Sequence, residues 1–471
     1  MASLSELDSQ VETPRYDRNS IEQGIVHLGI GAFHRAHQAV YTDQAMNLSG
    51  GNWGITGVSL RSDTVPQQLA PQDCLYSVLS EDGQQQSLRL IGAVTRVLFA
   101  VAQLNEVVEA IAAHTTKIIT LTITEKGYCT GSDGHSLDLT NPAIEADIAN
   151  PEAPRSAIGL LALGLRQRQQ LNNGPVTLIS CDNVAANGEV LASVLREYAD
   201  LTFSGLSAWL QANTSAPSSM VDRIVPASTE AQQLRQSKML GLQDSSAIST
   251  EYFSQWIIED KFCTPRPNWE GAGVQYVEDI KLYEDIKLRL LNATHSAIAY
   301  CGLLAGKQTV DEVVTDDQLG PFVHRLMSDD LVPALTVPSD FDIETYKEQL
   351  ITRFHNPSLG HRCEQIAMDG SEKIGQRWLP VLQGGGENKA LILALSAWCY
   401  LILSTDIEIS DPKQSDLLQL RERSDDMRLI ELLACARITS QAVPGMDGLC
   451  QQIEQQLDKL ASVGILALLA G

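Results

Sequence analysis

The amino-acid sequence predicts an α/β protein, with a doubly wound parallel sheet in its N-terminal part and a mostly α-helical C-terminal part. Three observations support this prediction. Short apolar runs alternate with amphipathic helical stretches up to about residue 275, a pattern typical of parallel sheets. A glycine-rich turn follows the first apolar run, and helical periodicity dominates after residue 275.

The elements follow in chain order. The first predicted strand begins at Gly24 and is followed by glycines and a helical stretch. Further apolar runs predict strands at residues 53–60, 88–91, 117–124 and 176–180, with helices at 104–113 and 156–171 between them. Later helices are predicted at 283–304, 316–327, 343–353, 388–403, 415–436 and 449–469. Residues 234–249 carry no pattern that we interpret.

The length of 471 residues is enough for two domains, and 44% hydrophobic residues can fill a core in each. The turn-rich segment 264–273 precedes the change to helical periodicity. We therefore predict one domain over residues 1–278 and a second, helical substrate-binding domain over residues 279–471.

Charge and cysteine content exclude several classes of function. The chain has 34 Lys and Arg against 58 Asp and Glu, a net charge of -24, which disfavours nucleic acid and anionic membranes as partners. Its nine cysteines form no C-x-x-C pair, which argues against a structural zinc site and favours a reducing cytoplasm. The start of the chain lacks an apolar leader, and the longest apolar run, 390–403, is shorter than a membrane helix. We expect an unprocessed cytoplasmic protein.

The glycine-rich turn is the first candidate site. Gly29 and Gly31 lie between a predicted strand and a predicted helix, where a turn without Cβ atoms lets the backbone approach a dinucleotide pyrophosphate. The third glycine of the usual fingerprint is replaced by His34. The turn therefore indicates a Rossmann-type site, with a purely structural turn as the alternative.

Asp63 follows the second predicted strand, where its carboxylate can accept hydrogen bonds from an adenosine ribose and repel a 2′-phosphate. This position favours NAD over NADP. The alternative is a solvated loop aspartate beside Arg61.

A second candidate site lies on the predicted helix 283–304. At about 100° per residue, Glu284, Lys287 and His295 share one helix face, with Asn292 at its margin. A partly desolvated lysine can act as a general base, and a neighbouring amide can donate to an oxygen that becomes negative. A solvated polar stripe is the alternative interpretation.

A second amide is available in the N-terminal part. Asn183 follows the strand 176–180, at the carboxyl end where doubly wound sheets present their ligand loops. Asp182, Asn183 and Asn187 are also residue types that favour caps and turns.

Several sequence blocks in the expected order resemble the mannitol dehydrogenase family of long-chain polyol and sugar-acid dehydrogenases. The blocks are GIVHLGIGAFHRAHQAVY, LTITEKGY, SCDNVAANG, VDRIVP, WIIEDKF and KLRLLNATHSAIAY. The resemblance implies an NAD-dependent, metal-independent oxidoreductase that acts on a secondary alcohol.

The resemblance also implies a role for each matching residue. It implies Lys287 as the general base, Asn183 and Asn292 as the amides that polarise the reacting oxygen, His295 as a contact to a substrate hydroxyl, and Glu284 as a helper in proton exchange with solvent. It further implies Gly29, Gly31 and Phe33 as the cofactor turn, and Glu125 as a residue near the cofactor.

Metal binding is not expected. His27, His34 and His37 are close together in sequence, but His27 lies in an apolar strand and the other two follow the predicted cofactor turn. We therefore predict no metal site.

Two details favour a sugar acid of the D-mannonate and D-fructuronate type as the substrate. The block TEKGY, with Lys126, and the block at 356–377 resemble the sugar-acid branch of the family. Gln365 stands where polyol enzymes often have an arginine. We expect the substrate-binding residues to be Lys126, His361, Arg362 and Lys373, since cations and an arginine fork suit a carboxylate.

The alternatives are a neutral polyol substrate, as in a D-mannitol 2-dehydrogenase, and, more distantly, a dinucleotide-sensing protein without catalysis. A protein that only senses a dinucleotide would be expected to lack the catalytic base or the two amides. Lys287, Asn183 and Asn292 are all present in the sequence. We expect a monomer or a weak homodimer.

Overall fold

The computed structural model describes residues 11–83, 85–131, 133–338, 341–425 and 427–470. The chain divides into two compact units, Met1–Lys281 and Leu282–Gly471. The predicted boundary after residue 278 lies close to this division. All nine cysteines are free thiols. Among the described residues, none of the helices combines the length and the apolar composition needed to cross a bilayer.

The first unit contains the strands of the protein's sheets. They are β1 (Gln23–Leu28), β2 (Gly54–Ser59), β3 (Tyr76–Glu81), β4 (Gln86–Ile91), β5 (Val94–Phe99), β6 (Ile118–Leu121), β7 (Val176–Ser180), β8 (Thr214–Ser215), β9 (Ser219–Asp222), β10 (Ile248–Thr250), β11 (Gln255–Glu259) and β12 (Gln275–Val277).

The main sheet is parallel throughout and has six strands in the order β5-β2-β1-β6-β7-β8. Its central strands are buried on both faces, which explains why they are continuous apolar runs rather than alternating ones. The order reverses between β1 and β6, and ligands of open α/β sheets bind outside the carboxyl ends of the strands at such a point. The predicted doubly wound sheet is confirmed.

Two small sheets complete the first unit, in the orders β10-β3-β4 and β12-β11-β9. The apolar run at 88–91 belongs to β4, which pairs antiparallel with β3. Its inclusion among the strands of the parallel sheet was therefore wrong. A short hairpin strand with one buried face has too few residues to be distinguished from a parallel strand by composition alone.

The first unit also contains α-helices in its described residues. They are α1 (Ala32–Ala36), α2 (Gln38–Ser49), α3 (Thr64–Leu69), α4 (Leu104–Ala112), α5 (Pro142–Ala149), α6 (Ala157–Leu171), α7 (Asn187–Thr202), α8 (Leu206–Asn213) and α9 (Glu230–Leu240). Helix α9 overlaps the uninterpreted stretch 234–249 and begins before it, with a capping box formed by Thr229 and Gln232.

The second unit is helical in its described residues. Its helices are α10 (Lys281–Ile286), α11 (Ala293–Leu304), α12 (Val310–Val314), α13 (Leu319–Arg325), α14 (Ile343–Phe354), α15 (Cys363–Ala367), α16 (Gly370–Gln383), α17 (Lys389–Ser404), α18 (Gln414–Arg421), α19 (Arg428–Cys435) and α20 (Met446–Ala470). The apolar helix α17 packs against α11, α18 and α20.

Three predicted helices of this unit are not continuous. The stretch 449–469 lies in α20, which is kinked at Gly464, a residue with a φ of +75° and a ψ of 168°. The stretch 415–436 is divided into α18 and α19. The stretch 283–304 contains a π-helical turn, Lys287–Asn292, between α10 and α11. The π turn changes which side chains of this stretch share a face.

Candidate functional site

The turn after β1 requires glycine at its first position. Gly29 has a φ of +96°, and a Cβ placed there would lie 2.0 Å from the carbonyl oxygen of Thr122. The backbone N–H groups of Gly29 and Ile30 both donate to the carbonyl of Val58, at 2.8 and 3.1 Å. A Cβ at Gly31 would make only an ordinary van der Waals contact, 3.8 Å from the carbonyl oxygen of Gly29. The turn therefore leads β1 directly into α1 with a bare backbone.

A cavity of about 510 Å³ lies beside this turn. Its walls come from the ends of the parallel strands, at residues 29–31, 59–62, 122–124 and 126–127, and from two helix starts, at residues 141 and 143 and at residues 155–157. The volume falls within the range of small-molecule and cofactor sites. The bare turn and the first amides of a helix suit a pyrophosphate, so the residues present fit a dinucleotide.

The other predicted cofactor residues surround this cavity rather than line it. The exposed Asp63 accepts a hydrogen bond from the amide of Gln67 at 2.6 Å. The ring of Phe33 stacks on His37 with a centroid distance of 5.0 Å. Glu125 is exposed in a 3-10 turn next to Lys126, which does line the cavity.

Asp182 holds the segment that forms one wall of the cavity. Its carboxylate accepts the N–H groups of Ile123 and Thr124, at 2.9 and 2.8 Å, and the hydroxyl of Tyr128 at 2.8 Å. Burial raises the pKa of Asp182, and these three hydrogen bonds oppose that rise. The sequence analysis assigned Asp182 only to turn chemistry, and its position after a strand was the available signal. Asn183, the next residue, is exposed.

Three histidines are buried behind the glycine turn. The Nε2–H of His27 donates to the carbonyl of Gly29 at 3.1 Å, so Nδ1 accepts from the hydroxyl of Thr120 at 2.7 Å. Burial lowers the pKa of His27 to about 3. His27 and His34 stack with a centroid distance of 3.4 Å, and His37 contacts the carbonyl of Gln255. The described residues contain no group of three His, Cys, Asp or Glu side chains arranged to hold a metal ion.

In the second unit, the π turn changes the arrangement expected for Lys287 and Asn292. Residues five apart lie above one another in a turn with i→i+5 hydrogen bonds, and the N–H of Ala293 makes such a bond to Leu288. Lys287 and Asn292 therefore share a face. The expectation that Asn292 lies at the margin was wrong, because it assumed regular α-helical spacing through this segment.

Helix α16 supports the end of the π turn. The guanidinium of Arg377 donates to the carbonyl of Asn292 at 3.1 Å and to the hydroxyl of Ser296 at 2.6 Å. The indole of Trp378 donates to the carbonyl of Ala293 at 3.2 Å. Two neighbouring side chains thus hold the backbone where the helix returns to α-helical geometry.

His295 lies in a positively charged environment. It is 8% exposed, and burial lowers its pKa well below the usual value. Four neighbouring side chains lower this pKa further by electrostatic repulsion: His361, Arg353, Arg377 and Lys287. The rings of His295 and His361 meet edge to face at 5.2 Å. His295 is therefore neutral near pH 7.

The structure brings some of the predicted substrate residues near this cluster and leaves others apart. His361 contacts His295, and its pKa falls to about 4 because it is buried and faces Arg353. Lys373 donates to the carbonyl of Met368 at 2.9 Å. The side chain of Arg362 is 65% exposed and pairs with Glu364 at 2.7 Å.

The remaining predicted residues are Glu284, in α10 and partly buried, and Lys126, exposed in the first unit. The sequence analysis missed Arg353 and Arg377. Arg353 ends the predicted helix 343–353, and Arg377 ends a block that resembles the sugar-acid branch. Neither position carried a signal that distinguished it from a surface arginine.

Two sequence models of one family match the chain. The mannitol dehydrogenase Rossmann domain matches residues 23–271, and the mannitol dehydrogenase C-terminal domain matches residues 279–461.

Individual relatives carry two kinds of name. The D-mannonate oxidoreductase of Escherichia coli (strain K12) is 38% identical over 433 residues, which cover 89% of each chain. A mannitol 2-dehydrogenase of Aspergillus fumigatus is 35% identical over 474 residues, covering 97% of this chain and 94% of the relative. A structure of Pseudomonas fluorescens mannitol 2-dehydrogenase, in a ternary complex with NAD and D-mannitol, has a TM-score of 0.89 at 33% identity and covers 99% of this chain and 97% of its own.

Proposed function

The chain belongs to the mannitol dehydrogenase family, and we propose that it is an NAD-dependent oxidoreductase of sugar acids. In this proposal it interconverts the secondary alcohol of a sugar acid with the corresponding ketone, as in the pair D-mannonate and D-fructuronate. The general class, an oxidoreductase that acts on a secondary alcohol, follows from the family. The acidic substrate is the specific part of the proposal.

The observation that carries this part is the positive charge around His295. In a chain with a net charge of -24, the arginines 353 and 377 and Lys287 all act on one buried imidazole. Two of the hydrogen bonds of Arg377 are to neutral acceptors, the carbonyl of Asn292 and the hydroxyl of Ser296. Such an environment attracts a carboxylate and gains nothing from a neutral polyol.

Lys287 acts as the general base in this proposal. It is 7% exposed, so its amine meets the substrate hydroxyl away from bulk water and takes its proton when the alcohol is oxidised. Glu284, about one turn earlier in α10, passes the proton on to solvent. In the reverse direction, the protonated lysine returns the proton to the carbonyl oxygen.

The amides and the neutral histidine orient the substrate. Asn292, on the same face as Lys287, donates to the oxygen on which negative charge develops, and we assign the same role to Asn183. His295 is neutral, so one ring nitrogen can donate to a substrate hydroxyl while the other accepts. We assign His361, Lys373 and Lys126 to the recognition of the carboxylate and the sugar chain. Arg362, which the sequence also suggested, is exposed and paired with Glu364 and is left out of this assignment.

The first unit binds the cofactor. When bound, NAD supplies the acceptor for the hydride that leaves the substrate carbon. Gly29 and Gly31 give the pyrophosphate access to the backbone, Asp63 accepts the ribose hydroxyls, and Phe33 and Glu125 border the cofactor. The carboxylate of Asp63 disfavours the 2′-phosphate of NADP.

A neutral polyol such as D-mannitol is the second candidate. The likeness to the mannitol 2-dehydrogenase from Pseudomonas fluorescens favours it, since the similarity extends over nearly the whole chain. The glutamine at position 365 and the charge around His295 favour the sugar acid instead.

The test is the initial rate of NADH oxidation, followed by absorbance, with D-fructuronate, D-tagaturonate and D-fructose offered separately. The proposal predicts a kcat/KM for one uronate at least about 100-fold above that for D-fructose, because each tenfold preference corresponds to about 1.4 kcal/mol and a buried charge pair supplies more. Preference for D-fructose would establish the polyol alternative. Repeating the assay with NADPH measures the cofactor preference.

A further inference from the structure

Thr124 has a backbone conformation that threonine rarely adopts. Its φ is +67° and its ψ is 160°, a region of the backbone map that is essentially restricted to glycine. A β-branched side chain is especially unfavourable at positive φ. Thr124 directly precedes the 3-10 turn Glu125–Tyr128, so the strained residue sets the direction in which that turn leaves the sheet.

The hydrogen bonds that hold this conformation converge on one buried carboxylate. Asp182 is 8% exposed and accepts two successive N–H groups, from Ile123 and Thr124, together with the hydroxyl of Tyr128. Tyr128 is fully buried and also contacts the hydroxyl of Ser180, the last residue of β7. The carboxylate therefore fixes both ends of the segment 123–128 from the neighbouring strand end.

The fixed segment is part of the wall of the cavity beside the glycine turn. Residues 122–124, 126 and 127 line that cavity together with Gly29 and Gly31. The two walls are tightly packed, because a Cβ at Gly29 would lie 2.0 Å from the carbonyl oxygen of Thr122. A change in the direction of the segment would therefore change the shape of the cavity.

We propose that Asp182 is a positioning residue for the dinucleotide cavity, which it shapes by holding Thr124 at positive φ. The proposal rests on the proposed binding of NAD in that cavity. Asp182 has no direct contact with the cofactor in this proposal, and its effect on binding passes entirely through the backbone of Thr124.

This indirect route predicts a specific rescue. In Asp182→Asn one carboxylate oxygen is replaced by an NH2 group, which cannot accept a hydrogen bond. The remaining oxygen can still accept from Ile123 and Tyr128, which share Oδ2 in the wild type, so the N–H of Thr124 loses its acceptor Oδ1. Thr124 then relaxes to negative φ, and NADH affinity falls about tenfold. Glycine adopts positive φ without strain. In the double variant Asp182→Asn with Thr124→Gly, the segment keeps its direction, and we expect NADH affinity to return to within about threefold of the wild type.

The NADH dissociation constant is measured by fluorescence titration for the wild type, both single variants and the double variant. The matched control is Asp244→Asn, because Asp244 is also a buried carboxylate of the first unit and accepts two backbone N–H groups, from Ser77 and Ser246. It lies outside the cavity walls, so its substitution should lower stability and leave NADH affinity unchanged. A double variant as weak as Asp182→Asn, or an Asp182→Asn variant as tight as the wild type, overturns the proposal.

A second measurement separates this inference from the proposed function. Hydrogen exchange of the amides of Ile123 and Thr124, without NADH, should be faster in Asp182→Asn than in the wild type. Unchanged exchange would refute the role of Asp182 in holding the segment 123–128. If the wild type fails to bind NADH, the proposed function is wrong. The exchange result still shows whether Asp182 holds the segment 123–128.

If Asp182→Asn does not fold, substitutions at the exposed Thr124 test whether NADH binding requires positive φ at this residue. Thr124→Pro fixes φ near -65° and should lose NADH affinity, whereas Thr124→Gly should keep it. Equal NADH affinity in these two variants contradicts the requirement for positive φ.

Discussion

The wall of the cavity in the first unit and the π turn in the second build candidate sites in different ways. At residues 29–31 and 122–128 the backbone itself is shaped, by a glycine at φ +96° and a threonine at φ +67°. At residues 284–295 the functional groups are side chains on an irregular helix. The comparison suggests that the first region tolerates changes of side chain that keep the backbone path, whereas the second depends on individual side-chain groups.

The largest effect is expected for Lys287→Met, which removes a side-chain function without altering the backbone. We expect kcat/KM to fall about 10³-fold, within the range for loss of a general base, with NADH affinity unchanged in a fluorescence titration. Lys281→Met, at an exposed position of the same helix, is the control and should keep full activity. A fall of less than tenfold in Lys287→Met would remove the lysine from the chemistry.

The pH dependence of stability tests the backbone region. Burial lowers the pKa of His27 in the folded state to about 3, from 6.5. Between these values the unfolded chain binds a proton that the folded chain does not, so stability falls as the pH drops below 6.5. We expect His27 alone to account for about 2 kcal/mol of the stability lost at pH 5, so the loss measured by urea unfolding should be smaller by about this amount in His27→Asn. An equal loss in both proteins would mean that the neutral imidazole beside Gly29 is not the cause.

A smaller effect is expected for Arg377→Met, which weakens the support of the π turn. We expect kcat to fall about tenfold, the loss of one charged hydrogen-bond donor, with NADH affinity unchanged. Arg377 also lowers the pKa of His295, so in the variant that pKa rises and activity should decrease more steeply below pH 7.

Two further variants sharpen this result. Arg377→Lys keeps the charge and should restore the pH profile, but not the full kcat. Arg325→Met, at an exposed position of the second unit, should behave as the wild type. If the pH profile of Arg377→Met matched that of the wild type, Arg377 would support the π turn without influencing the protonation of His295.

The smallest effect is expected for Arg362→Ala. Its guanidinium is 65% exposed and paired with Glu364, and such surface pairs contribute little. We expect the KM for a uronate to change by less than about twofold. A tenfold increase in KM would instead show that the arginine leaves Glu364 to bind the substrate carboxylate, as the sequence resemblance suggests.

The sequence was most informative where a residue type has only one physical explanation. Glycines after an apolar run predicted the turn at Gly29, and continuous apolar runs predicted the central strands. The helix α9 was also predictable from its capping box, Thr229 with Gln232, although we did not interpret that stretch. In these cases the signal is local in the sequence.

The sequence was least informative where the structure departs from regular geometry. The π turn at Lys287–Asn292 consists of ordinary helix-forming residues, so the arithmetic of a regular helix misplaced Asn292. The positive φ of Thr124 depends on acceptors 58 positions away along the chain. The environment of His295 depends on Arg353 and Arg377, which come from two other helices. Such features arise from tertiary contacts and leave no local pattern.

The π turn also has a consequence for comparing this chain with its relatives. A π turn holds one residue more than the α-helical turn that it replaces. If one residue between Lys287 and Asn292 were deleted and a regular helix restored, the lysine and the amide would be four residues apart, at about 40° around the helix, and they would still share a face. An alignment gap of one residue in this segment is therefore compatible with a base and an amide on one face, whereas a relative without the gap needs the π turn to bring the same two side chains together.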